Sequence, residues 1–98
     1  MKFELIWSRR ARDNLRDFSK REQQQIVDEV HSQLLHNPNT ETRHRKLLEP
    51  NDLATWELRI GDIRVFFDID ANAARVELVA IGKKTHNVLR INDEENQP

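Results

Sequence analysis

The chain of 98 residues contains no cysteine and no tyrosine. Without cysteine there is no disulfide framework, no thiolate metal site and no thiol nucleophile. Glycine occurs twice and proline three times, too few for a glycine-rich phosphate loop or a proline-rich linker. No apolar run approaches the ~20 residues of a membrane-spanning helix, and the opening M-K-F-E has no apolar signal region. These absences point to the cytoplasm and away from a membrane partner. An excess of one charge is lacking too. Lys plus Arg is 16 and Asp plus Glu is 17, a formal net charge of -1, which excludes nucleic-acid binding through bulk charge and leaves only a local basic patch. Hydrophobic residues at 37% can still build a core. The length suits a single domain, because two would each fall below the size of a self-sufficient core.

The order of residues predicts an α+β domain over 1–92. In K-F-E-L-I-W, residues 2–7, Phe3, Leu5 and Trp7 alternate with Lys2, Glu4 and Ile6, the pattern of a strand with one buried face. Ser8 is a good N-cap, and Ala11, Leu15 and Phe18 then recur with helical period. Ser19 with Glu22 reads as a capping box before the stripe Ile26, Val27, Val30, Leu34, Leu35. Two helices follow, over 9–18 and 20–36, stopped by Asn37-Pro38-Asn39 and folded as an antiparallel hairpin. Residues 37–52 read as a loop. After them the period becomes two. Trp56, Leu58 and Ile60 lead into Gly61-Asp62, a type II′ turn signal, and Ile63, Val65, Phe67 and Ile69 continue beyond it. A third strand, 75–81, is apolar on both faces and therefore central, and Gly82 interrupts it. The predicted order is β-α-α-β-β-β, an antiparallel sheet with the helix hairpin on one face and room for one more short strand at 88–91. Trp56, Leu58, Val65, Phe67 and Leu78 should share a core with Leu15, Phe18, Ile26, Val30 and Leu34. The acidic tail, residues 93–98, should fray.

Folding the hairpin about Gly61-Asp62 sets Arg59 directly opposite Arg64. Like charges at that spacing repel. Either an anion such as a phosphate lies between the two guanidinium groups, or Glu57, Asp68 or Glu77 neutralises them in an ion network. Lys83, Lys84 and His86 follow the third strand and would widen a basic site; an imidazole such as that of His86 is the side chain most often used for proton transfer. Arg43, Arg45 and Lys46 form a second basic cluster in a loop, where side chains can reach RNA or an acidic protein. Arg9, Arg12, Arg16 and Lys20 line the first helix with Asp13 among them, the pattern of a solvated charged face. His31 and His36 do not share a helix face, and no carboxylate cluster has metal-ligand spacing, so no metal or cofactor is expected.

The run from Lys46 to Lys84, K-L-L, then W-E-L-R-I-G-D-I-R-V-F-F, then I-G-K-K, resembles the RelE/ParE superfamily of bacterial toxins, and F-E-L-I-W-S with Ala11 and Leu15 is consistent with it. The resemblance implies a small antiparallel sheet with a helix hairpin and a cognate antitoxin as partner. It also implies one of two activities. RelE-like members cut mRNA on the ribosome without metal, basic residues holding the scissile phosphate. ParE-like members poison DNA gyrase. Residue by residue, Arg59, Arg64 and Lys84 fall on basic positions of the ribonuclease branch, and His86 is the available proton carrier. Arg43, Arg45, Lys46 and Lys83 would then contact RNA. Two positions depart from that branch: Glu57 stands where a basic residue is expected, and the C-terminal tyrosine has no counterpart. The first expectation is a ribosome-dependent endoribonuclease toxin. The alternative is a binding protein of the same fold without catalysis.

Overall fold

The computed structural model describes residues 2–92 and 94–96. Within them the elements are β1 (Glu4–Trp7), α1 (Arg9–Arg16), α2 (Lys20–Leu34), β2 (Arg45–Leu47), β3 (Trp56–Ile60), β4 (Ile63–Asp70), β5 (Arg75–Thr85), β6 (Val88–Ile91) and β7 (Glu94–Asn96). Both predicted caps form. Ser8 Oγ accepts from the Ala11 amide at 3.0 Å. Ser19 Oγ accepts from the Glu22 amide at 3.1 Å while Glu22 Oε1 accepts from the Ser19 amide at 3.1 Å, a complete capping box. The helices stop at Arg16 and Leu34, slightly short of the predicted ends.

One sheet runs in the order β2-β3-β4-β5-β6-β7, with β1 beside β5. The β3–β4 hairpin has the predicted register: Ile60 faces Ile63, Arg59 faces Arg64, Leu58 faces Val65. Gly61 alone takes a positive φ, +59°, between the two strands, which is the requirement of a II′ turn. The neighbouring pairs are antiparallel except β1 with β5, which is parallel. No tight turn joins those two strands, so nothing forces them to run in opposite directions. β5 is long enough to serve two neighbours along one edge: 75–78 pair with β1 and 83–85 with β6. Between them α1 covers the edge. The Ser8 amide and Oγ donate to the carbonyls of Leu78 and Val79, each at 3.0 Å, and Asn14 Oδ1 accepts from the Ile81 amide at 3.0 Å.

Four expectations need correcting. Within the predicted loop, Arg45–Leu47 adds to β3 as an edge strand. Gly82 does not interrupt the third strand, which continues to Thr85 and closes on β6 through His86 and Asn87, both at positive φ. Gly82 is instead the place where β6 presses on β5. A Cβ there would lie 2.7 Å from both the Arg90 carbonyl oxygen and the Ile91 side chain. Finally, Glu94–Asn96 pairs with β6 rather than fraying; Asp93, Gln97 and Pro98 lie outside the described residues. The antiparallel sheet also gains the one parallel pair already noted.

All ten predicted core residues lie in one cluster under the helices. Leu58, Val65, Phe67, Leu78, Ile26, Val30 and Leu34 are fully buried, Trp56 nearly so, and Leu15 and Phe18 pack on them half-buried. Trp56 stacks on Phe67 with ring centroids 5.9 Å apart. The register slips by one residue between Phe66 and Phe67, because Phe66 pairs with Ala80 and Phe67 with Leu78. Val79 is thus a bulge. Phe66 points to the other face of the sheet, where it forms a smaller core with Ala54, Ala80, Leu89 and Ile91. The sheet face away from the helices is therefore closed at that end. What stays accessible lies toward the β3–β4 turn.

Candidate functional site

Away from the helices, the strand register lays out two adjacent rows of side chains. Lys46, Glu57, Phe66 and Ala80 form one; Arg59, Arg64 and Gly82 form the next. Lys84 follows Gly82 by two residues on the same strand and faces the same side, with its amide bonded to the Asp62 carbonyl at 2.8 Å. β2 brings Lys46 opposite Glu57, a neighbour that reading 37–52 as a loop could not supply. Lys46, Arg59 and Arg64 thus neighbour one carboxylate, with Lys84 farther along the same face.

That carboxylate is buried, its side chain 4% exposed. Arg59 Nε donates to Glu57 Oε2 at 2.9 Å. Arg64 Nε lies 3.8 Å from Glu57 Oε1, within ion-pair reach but too far for a hydrogen bond, and is itself buried without an acceptor. The Arg64 guanidinium is anchored elsewhere: Nη1 donates to the Gly61 carbonyl at 2.6 Å and the Ile63 carbonyl at 3.0 Å. Of the two readings of the opposed arginines, the structure shows the ion network, with Glu57 as its centre. Asp68 instead accepts from the Thr55 amide, and Glu77 makes no ion pair with them.

The remaining sequence candidates separate. Lys83 turns to the helix side and pairs with Glu22 at 3.2 Å, so it does not join Lys84. His86 is exposed in the β5–β6 turn at φ 52°, and among the described residues no hydrogen bond orients its ring. Arg43 and Lys46 are exposed. Arg45 is not: its Nη1 donates to the carbonyls of Gln33 (2.9 Å) and Asn37 (2.7 Å), satisfying the orphan end of α2. A side chain spent on a helix terminus is not free for RNA, which corrects its assignment as a contact residue. Among the described residues no group of three or more histidine, aspartate and glutamate side chains is placed to hold a metal. No helix of those residues is long and apolar enough to cross a membrane.

The Glu22–Lys83 pair ties the start of α2 to β5. The Ser19 backbone amide, then the Lys83 ammonium, hold the Glu22 carboxyl below its ordinary range. Glu22 in turn holds Lys83 above its own. A lowered carboxyl pKa contributes stability above the unfolded value and loses it as pH falls through the folded one. A raised ammonium pKa contributes below the unfolded value and loses it as pH rises through the folded one. The pair is therefore flat across neutral pH. Thermal unfolding scans should show Glu22→Gln losing less stability than the wild type below about pH 4.

The fold and the spacing of the basic residues can be compared with known proteins. A sequence model of the ParE toxin of the type II toxin–antitoxin system parDE matches residues 5–88. The chain belongs to this ParE toxin family. No curated protein sequence matches significantly. The ParE-family chain is similar in fold to a chain of the toxin–antitoxin complex RelBE2 from Mycobacterium tuberculosis. There the TM-score is 0.73 and the identity 20%, over 86% of this chain and 100% of that one. It is also similar to a chain of the archaeal RelE–RelB complex from Pyrococcus horikoshii, with a TM-score of 0.66 and 16% identity, over 83% of this chain and 93% of that one. The RelE/ParE superfamily named from the sequence is thus the right one, and the protein is a toxin of a type II toxin–antitoxin system.

Proposed function

We propose that this toxin acts by binding a protein target, DNA gyrase as the ParE branch implies, and not by cutting RNA, and that a cognate antitoxin restrains it. The observation that carries the reading is the Glu57 carboxylate between Arg59 and Arg64. Metal-free RNA cleavage needs cations preorganised on the scissile phosphate and a group to carry a proton. Here the two arginines already hold an internal anion, Arg64 is tethered to the hairpin carbonyls, and the candidate proton carrier His86 sits unoriented on a turn. The match to the ParE model over most of the chain supports the same side. Exposed Lys46, with half-buried Arg59 and Lys84, still leaves a partly accessible basic face, suited to an acidic patch on a protein. The two solved relatives are toxin–antitoxin complexes, which supports the antitoxin as partner.

Purified toxin should inhibit gyrase supercoiling in a dose-dependent assay and leave mRNA intact on programmed ribosomes. Release from the antitoxin should be needed for that inhibition. Ribosome-dependent cleavage by the pure protein, with gyrase unaffected, would reverse the assignment.

A further inference from the structure

Glu57 and Arg59 stand two residues apart on β3 and so share one face of the sheet. Glu57 is flanked by Lys46 on β2 and Phe66 on β4, and its side chain is buried. A carboxylate packed there is held still, and it takes the inner edge of the Arg59 guanidinium, Nε donating to Oε2 at 2.9 Å. The outer edge is left open. Nη1 and Nη2 of Arg59 make no hydrogen bond among the described residues, and neither is a buried atom. The side chain as a whole is 40% exposed. Two parallel donors of fixed direction therefore face solvent.

Arg64 does not compete for that role. Its Nη1 is committed to the carbonyls of Gly61 and Ile63, and its side chain is only 14% exposed. It balances Glu57, and Glu57 orients Arg59. Two guanidinium groups and one carboxylate leave a single positive charge. A planar anion of one charge, with two oxygens to meet the fork, is a carboxylate. A tetrahedral phosphate would call on the second guanidinium too, and that one is drawn back to the hairpin. An arginine already fixed also loses little rotamer freedom on binding.

We propose that Glu57 is a positioning residue, which holds Arg59 as a two-pronged donor for one aspartate or glutamate side chain on the protein target. Lys46, exposed opposite Glu57, and Lys84 draw an acidic surface toward the fork. The inference rests on the reading of this toxin as a binder of gyrase.

The sign of one substitution tests it. Glu57→Gln removes a negative charge from the face. If the face attracts its target by charge alone, that variant binds more tightly than the wild type. If Glu57 positions Arg59, it binds more weakly, because a neutral amide no longer holds the guanidinium. Full-length toxin is titrated with purified gyrase holoenzyme, with affinity read by calorimetry beside the dose for half-inhibition of supercoiling. Glu57→Gln should bind about 10-fold more weakly, and Arg59→Ala about 10- to 100-fold. Arg59→Lys keeps the charge and loses the fork, so it should fall with Arg59→Ala; it carries the test if Glu57→Gln does not fold. A folded Glu57→Gln that binds as well as the wild type or better, or an Arg59→Lys within twofold of it, would overturn the positioning role and leave the gyrase reading standing. A wild type that binds a short single-stranded RNA more tightly than gyrase would assign the fork to phosphate and overturn the carboxylate. A wild type that does not bind gyrase would overturn the gyrase reading and this inference with it.

Discussion

Gly82→Ala should destabilise the fold by about 3 kcal/mol, near the upper end of what one extra methyl costs in a packed interior. Two of the three atoms nearest the new Cβ would lie at 2.7 Å, and one of them is the Arg90 carbonyl oxygen. A backbone atom in a strand cannot rotate away as a side chain can. The Ile91 and Leu89 side chains that complete the contact belong to the smaller core, so relief would disturb that core or separate β6 from β5. Gly61 provides the contrast. A Cβ there meets nothing within 4 Å, but the backbone sits at φ +59°. Gly61→Ala should cost about 1 kcal/mol through conformation alone, and Gly61→Asn less, since asparagine tolerates the left-handed region. Urea unfolding of the three variants separates a steric glycine from a conformational one.

Gly82 also shows where sequence reading reaches its limit. Periodicity located the helices, the β3–β4 register and the main core, because each depends on residues close in sequence. The function of Gly82 depends on Leu89 and Ile91 across a hairpin, and a glycine in an apolar run looks the same whether it ends a strand or makes room for a neighbour. The burial of Arg45 is hidden in the sequence for a similar reason. Its partners are carbonyls at the end of α2, released by the Asn37-Pro38 stop and brought near only when residues 45–47 join the sheet. Three residues are too few to show alternation, so β2 had no signal of its own. Asn14 carried no local mark either; an asparagine within a helix reads as a solvated residue until the broken edge of β5 is seen beside it. The opposed arginines were legible, and so was Glu57 as one of the groups able to neutralise them. What the sequence could not decide was whether that carboxylate pointed to solvent or lay between them, since this depends on Phe66 and the small core closing one end of the face.

The buried carboxylate reverses a simple electrostatic expectation. Two arginines directly opposed should repel, so removing either would leave stability unchanged or improved. With Glu57 between them, the arginines compensate a charge that has left water, and removing a partner leaves it exposed to the cost of burial. Arg64→Ala should therefore lose about 2 kcal/mol, combining the two carbonyl hydrogen bonds of Nη1 with a weakened hold on Glu57. Arg59→Ala should lose about 1 kcal/mol, because its side chain is 40% exposed and water can replace part of the interaction. Glu57→Ala should be the most damaging of the three, about 3 kcal/mol, since it leaves two cations facing each other with Arg64 anchored in place. The same variant tests what the carboxylate is doing there. If it fills a site that two guanidinium groups would otherwise offer to an anion, inorganic phosphate should stabilise Glu57→Ala and not the wild type. At ten times its dissociation constant, phosphate would return about 1.4 kcal/mol. Thermal unfolding with and without phosphate, against a chloride control of equal ionic strength, reads this directly. Equal shifts in both proteins would mean that Glu57 only balances charge and that no anion site lies beneath it.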